Sequence, residues 1–234
     1  MKLLDSKTKN SATNDAQIVK LSGDSKVGSK LIIKRDDDFK LTKTDDVNLF
    51  SNLKDSELRP EIETFIIERI FYFLENQLGP PKFETMLISK EDYNRSPVYG
   101  LNQLPSFIRP FPNGFQFDMK ILKTITNQYL RRSFLINTRE DQWFLDALLI
   151  KLMMDYVETF YPDVKLLGSF SEFIGVKWFY ASDLYFNDRY SFIHATSIRQ
   201  NLGQQVDFPQ DSLLKFNQRL TNPYKGGLGF NYLE

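Results

Sequence analysis

Histidine and cysteine, two side chains that often act as catalytic base and nucleophile, are scarce in this sequence. It has one histidine, His194, and no cysteine, so thiol nucleophiles, cysteine-based zinc sites and iron–sulfur clusters are excluded together. A Ser-His-Asp triad would have to use His194. The sequence has no G-x-S-x-G turn, and His194 lies in the apolar stretch FIHA. We therefore expect a packed or surface histidine of a helix.

Another set of polar residues lies on two predicted helices between Phe117 and Tyr161. The first helix contains the segment KTITNQY, which begins at Lys123, and eighteen residues separate Asn127 from Asp146 on the second helix. On a helix Lys123 and Asn127 are one turn apart and share a face. If the helices pack side by side, these residues and Asp146 form one cluster.

This spacing resembles that of the gluzincin zinc aminopeptidases. In that family one helix carries H-E-x-x-H followed by Gln and an aromatic residue, and a Glu in W-L-x-E-G lies at the same distance beyond the second His. Here Gln128 follows the first segment, and Asp146 lies in WFLDAL. The resemblance implies that Lys123, Asn127 and Asp146 occupy the three ligand positions and Thr124 that of the general base.

The residues at the three ligand positions differ from those of the family, and this changes the chemistry that is expected of the site. Lysine is cationic at neutral pH and would repel a metal ion, and one carboxylate does not make a zinc site. We expect Lys123 to pair with Asp146 in the space that zinc would occupy, because a buried charge is tolerable only when it is paired. Lys151, further along the second helix, is expected to be solvated.

The resemblance also implies a peptide-binding segment and a catalytic tyrosine position. The family carries a G-A-M-E-N strand whose Glu grips the free amino group of the substrate, and GLNQ stands in that place with Gln103 for the Glu. The peptide-binding candidates are thus Gly100, Leu101, Asn102 and Gln103. The catalytic tyrosine of the family would fall at Tyr185 or Phe186.

Apolar periodicity and turn residues predict the elements that position these residues. We expect helices over 61–78, 117–135, 142–161, 187–201 and 209–220, with Asp207 and Asp211 introducing the last. We also expect a strand over 83–89, a hairpin from 31–34 and 39–42, a proline-rich loop over 96–113 and a glycine-rich turn over 225–230. The fold class is α+β, mainly helical, and the resemblance implies a truncated gluzincin (thermolysin-like) catalytic domain with a small sheet.

Three regions are predicted along the chain. Residues 1–29 are polar and form a flexible leader, residues 30–54 a hairpin that the resemblance makes the tail of a preceding β-domain, and residues 55–234 the helical domain. Thirty basic and thirty acidic residues balance, which gives no electrostatic case for nucleic acid. We expect a soluble chain without a membrane segment or signal peptide, and family members suggest an exported parent protein.

The function expected from these residues is that of a non-catalytic, peptidase-like domain that binds a peptide or a protein, without a cofactor. Two alternatives are left open. One is an active zinc-dependent aminopeptidase, and the other is a structural fragment of a larger protein.

Overall fold

The computed structural model describes residues 9–13, 16–20, 39–53, 58–95, 98, 101, 110–134, 136–137, 139–172 and 182–233. The strands are Lys9–Thr13 (β1), Ala16–Lys20 (β2), Lys40–Lys43 (β3), Asn48–Ser51 (β4) and Thr85–Ile88 (β5). The helices are Pro60–Leu78 (α1), Lys90–Arg95 (α2), Asn113–Ser133 (α3), Gln142–Phe160 (α4), Asp188–Arg199 (α5) and Asn222–Leu233 (α6). The predicted mainly helical α+β class is confirmed at this level. In the part of the chain described, no helix is both long and apolar enough to cross a membrane.

The larger sheet has three strands. Strand β3 pairs antiparallel with β4, and β4 pairs parallel with β5. Alternate residues of the sheet are buried, as expected where one face of a sheet is covered. The buried residues are Leu49, Met86 and Ile88, together with the polar Thr42 and Ser51. Because β4 and β5 are neighbours, the sheet joins residues on both sides of the predicted boundary between 54 and 55.

The structure describes the regions of the predicted hairpin and of the predicted leader only in part. Strand β3 covers most of 39–42, but it pairs with β4, and the predicted partner over 31–34 lies outside the described residues. Strands β1 and β2 form an antiparallel hairpin within residues 1–29. The division into three regions stays a prediction.

Helix α1 forms where the periodicity predicts it. Pro60 occupies its first turn, where no backbone N–H is needed, and Ile66, Ile70 and Leu74 bury one face. The helix ends at Gly79, which has φ +82° and donates its N–H to the Glu75 carbonyl. Only glycine adopts this conformation without strain.

Helices α3 and α4 are the predicted central pair, and they pack against each other. Helix α4 is buried around most of its circumference, because it also contacts α6. The prediction that Lys151 is solvated is wrong: it is 8% exposed, and its ammonium lies 2.6 Å from the Asp155 carboxylate one turn later.

The prediction of a glycine-rich turn over 225–230 is wrong, because these residues lie inside α6. A Cβ on Gly226 would lie 2.6 Å from Cβ of Ala147, and a Cβ on Gly227 would lie 2.6 Å from Cγ2 of Ile150. Glycine is therefore needed here for close approach of α6 to α4, and packing offsets its poor helix propensity.

The single helix predicted over 209–220 is also wrong. The segment contains a short 3-10 turn, Gln210–Ser212, and a π-helical turn, Asn217–Thr221, which leads into α6. Leu213 has an extended conformation (φ −87°, ψ 137°) and separates the two. Asp211 does not cap a helix, since its carboxylate pairs with the Arg139 guanidinium at 2.9 Å on the surface.

A buried polar network ties α1 to α3 and to the end of α4. The Asp118 carboxylate is fully buried and accepts hydrogen bonds from Arg69, from the Tyr156 hydroxyl at 2.9 Å and from the Tyr161 hydroxyl at 2.6 Å. The Arg69 guanidinium also donates to both hydroxyls, at 2.9 and 2.8 Å. The charges are mutually satisfied, so the network fixes the three helices relative to one another.

Candidate functional site

The helix faces with the predicted cluster meet as expected. Lys123 and Asp146 lie close enough for each charge to shift the pKa of the other. The prediction that these two helices pack side by side is confirmed by the contacts between α3 and α4.

Hydrogen bonds connect Asn127 on α3 with Asp146 on α4 through two further side chains. The Asn127 side-chain carbonyl accepts from Nε of Arg131 at 3.0 Å, and the Arg131 guanidinium donates to Oε1 of Gln142 at 3.1 Å. Nε2 of Gln142 then donates to the Asp146 carboxylate at 2.7 Å. Two of the three predicted ligand positions thus belong to one polar chain, and Lys123 acts on Asp146 through its charge.

Burial dominates the electrostatics of this cluster. It lowers the pKa of Lys123 to about 8, assisted by the positive charge of Arg189, while the Asp146 carboxylate acts in the opposite direction. Burial also raises the pKa of Asp146, against the Gln142 hydrogen bond and the charges of Arg131 and Lys123. Burial disfavours both charged forms, and each partner partly offsets that cost for the other.

Arg189 reaches this cluster from α5, which is distant in sequence. Its guanidinium carbon lies 3.8 Å from the ring centroid of Phe186 and 4.5 Å from that of Tyr190, and the residue is buried. The charges of Lys123 and Arg131 therefore act on the single carboxylate of Asp146, and the charge of Arg189 acts on Lys123. This donor set does not fit a zinc ion, which needs several neutral or anionic ligands.

The remaining predicted site residues are distributed over several environments. Thr124 is buried, and its hydroxyl donates to the Lys120 carbonyl at 2.9 Å, one turn earlier in its own helix. Phe186 is buried against the rings of Phe111 and Phe115. Tyr185 is half exposed, with the Lys165 ammonium 3.7 Å from its ring centroid. Phe186, not Tyr185, contacts the arginine next to the cluster.

The structure describes only one residue of the predicted peptide-binding segment. Leu101 is described and buried, whereas Gly100, Asn102 and Gln103 lie outside the described residues. His194 lies on α5 and is partly buried, and burial, with the charge of Lys225, lowers its pKa. Within the described ranges, no three His, Cys, Asp or Glu side chains are grouped so that they could hold a metal ion.

Sequence reasoning missed Arg131, Gln142 and Arg189. Arg131 follows Asn127 by four residues and Gln142 precedes Asp146 by four, so both lie one helical turn from a predicted residue and could have been found by this spacing. Arg189 had no such signal, because only the tertiary fold brings α5 to Lys123.

Comparison of the chain with protein-family models, with curated proteins and with solved structures gives no match. The gluzincin resemblance therefore stays a prediction based on the residues described above.

Proposed function

We propose that the chain is a non-catalytic, peptidase-like domain that binds a peptide or a protein segment. The observation that carries this proposal is the composition of the α3–α4 cluster, where the charges of Lys123 and Arg131 act on the Asp146 carboxylate and that of Arg189 acts on Lys123. In the gluzincin aminopeptidases the corresponding positions hold zinc with two imidazoles and a carboxylate.

The chemistry of the cluster supports binding without turnover. Zinc-dependent hydrolysis needs a metal-bound water and a general base beside it. At the position of the base, Thr124 has a hydroxyl that its own helix already engages. At the ligand positions, the Lys123 ammonium has no lone pair for a metal when it is protonated, and the Asn127 carbonyl already accepts from Arg131. Metal binding and water activation are thus lost through separate residues.

The first experiment measures metal and turnover together. Purified protein is dialysed and its zinc content is determined by elemental analysis, and a panel of aminoacyl reporter substrates is tested with and without added zinc. We expect no stoichiometric zinc and no release of amino acid. Chelator-sensitive turnover that disappears in the Asp146→Ala variant would establish the active aminopeptidase instead.

The second experiment addresses the binding half of the proposal. The isotope-labelled full chain is titrated with pentapeptides that have free or acetylated amino termini, and amide resonances are followed by NMR. We expect saturable shifts with both forms, since the resemblance puts the neutral Gln103 in place of the carboxylate that grips a free amino group. If no peptide shifts any resonance, the domain is not a peptide-binding module. The hypothesis of a structural fragment of a larger protein then replaces this proposal.

A further inference from the structure

A second site lies away from the predicted cluster, in a cavity of about 520 Å³ beside α1. One wall is the turn between β3 and β4, which contributes Thr44, Asp45 and Asp46. An exposed face of α1 also lines the cavity, together with Pro81 and Phe160. A cavity of this size lies in the range that buries small ligands or a few side chains of a peptide.

The cavity lining is strongly acidic. Asp45, Asp46, Glu68 and Glu75 contribute four carboxylates, and none of them forms an ion pair with another residue that the structure describes. Arg69 is the one cation among the described lining residues, and Asp118 already neutralises it. The lining therefore carries an excess of negative charge, which favours a cationic occupant.

Two of these carboxylates act on the same buried hydroxyl. Burial raises the pKa of Tyr129 to about 12, and the charges of Glu75 and Asp46 add to this effect. Glu75 belongs to α1 and Asp46 to the β3–β4 turn, so carboxylates from both elements act on the same group.

Aromatic rings lie along the same face of α1. Phe65 and Tyr72 line the cavity and are 61% and 68% exposed, although large apolar side chains are usually buried. The ring of Phe160 already receives a cation, since its centroid lies 4.9 Å from the Arg69 guanidinium carbon. Aromatic faces beside carboxylates are the chemistry that recognises ammonium and guanidinium groups.

We propose that this cavity docks a Lys- or Arg-containing segment of a partner protein. Its α1 wall runs from Phe65 to Glu75, which at about 1.5 Å per residue is about 15 Å and matches four or five residues of an extended peptide at about 3.3 Å each. A bare metal ion does not fit, because no three acidic or imidazole side chains converge among the described residues. The inference does not rest on the peptidase-like proposal, since the two sites share no side chain.

The test uses fluorescence anisotropy with the full chain and two labelled nonapeptides, one of alternating Lys and Ala and one of alternating Glu and Ala. The variant Glu68→Gln/Glu75→Gln removes two cavity charges. Its matched control, Glu84→Gln/Glu140→Gln, removes two exposed charges outside the cavity lining. We expect the Lys peptide alone to bind, the cavity variant to lose about tenfold in affinity and the control less than about twofold.

A third variant tests the aromatic contribution. Tyr72→Ala removes the exposed ring without changing charge, and we expect a loss of about three- to fivefold, as for a solvent-exposed cation–π contact. If both double variants lose affinity equally, the attraction is to net charge and the proposal is overturned. Full displacement of the peptide by lysine amide at an equal ammonium concentration would also overturn it, because the site would then be one for small amines. Should the double variant misfold, the single change at exposed Glu68 carries the same comparison.

Discussion

The ammonium of Lys123 gives the most direct test of how the α3–α4 cluster is balanced. Burial lowers its pKa from 10.5 to about 8. Above about pH 8 the folded chain therefore releases this proton, whereas the unfolded chain keeps it until about pH 10.5. Across this window the unfolded state binds more protons, so the free energy of unfolding rises with pH. Below it, the charged lysine costs the folded state its full desolvation.

The size of the effect follows from the pKa difference. Each pKa unit corresponds to about 1.4 kcal/mol, so the whole window changes the free energy of unfolding by at most about 3.5 kcal/mol. Between about pH 7 and about pH 9.5 the free energy of unfolding rises by about 2 kcal/mol of this amount. Lys123 is not completely shielded from solvent, and screening reduces the expected gain to about 1 kcal/mol.

The assay compares urea unfolding of the wild type with that of Lys123→Met at several pH values. We expect the wild type to gain about 1 kcal/mol relative to the variant between about pH 7 and about pH 9.5. Tyr129, whose pKa burial raises to about 12, is present in both proteins, so its titration cancels. Lys215→Met, at an exposed position, should show no such divergence. Parallel curves for wild type and Lys123→Met would refute the reasoning.

Two further predictions concern the elements that hold the site. Gly227→Ala should lower the free energy of unfolding by about 1–3 kcal/mol because its Cβ would overlap Ile150. Gly229→Ala, on the same helix with open space around it, should raise it by about 0.5–1 kcal/mol, and equal signs in thermal unfolding would contradict the packing argument. Asp118→Asn should cost about 3–5 kcal/mol in urea unfolding, since it leaves the Arg69 charge without its counter-ion. The exposed control Asp163→Asn should cost less than about 0.5 kcal/mol, and a comparable loss would show that the buried pair is not responsible.

Local sequence signals predicted the parts of the fold that depend on local physics. The apolar spacing of 61–78 predicted α1 because one helix face is buried and the ends carry proline and glycine. The pairing of β4 with β5 could not be predicted, because 33 residues separate Ser51 from Thr85 and no turn signal links parallel strands. At 225–230 the local signal was misleading, since packing against α4 outweighed glycine's low helix propensity.

In the candidate cluster, too, some residues could be predicted from their spacing in the sequence and others depend on the tertiary fold. Lys123 and Asn127 were predictable as neighbours because one helix carries both, and Asp146 because a short turn makes consecutive helices antiparallel. The position of the buried Arg189 depends on where α5 packs, and its positive charge acts on Lys123. The charges matter for function, because Lys123 and Arg131 together disfavour a metal ion near the Asp146 carboxylate more strongly than lysine alone.

Helix α3 connects the two proposed sites, although they share no side chain. Near its N-terminal end, Asp118 holds the Arg69 guanidinium that lines the acidic cavity. Five residues later Lys123 points toward Asp146, and Gln128 donates to the Leu87 carbonyl of β5 at 2.9 Å. A change at Asp118 would therefore disturb the cavity and the cluster together. Glu68 and Glu75 take no part in the Asp118 network or in the cluster, because these side chains line the cavity from α1. If the variants of Glu68 and Glu75 lose affinity for the peptide while the pKa of Lys123 is unchanged, the cavity binds its partner independently of the cluster.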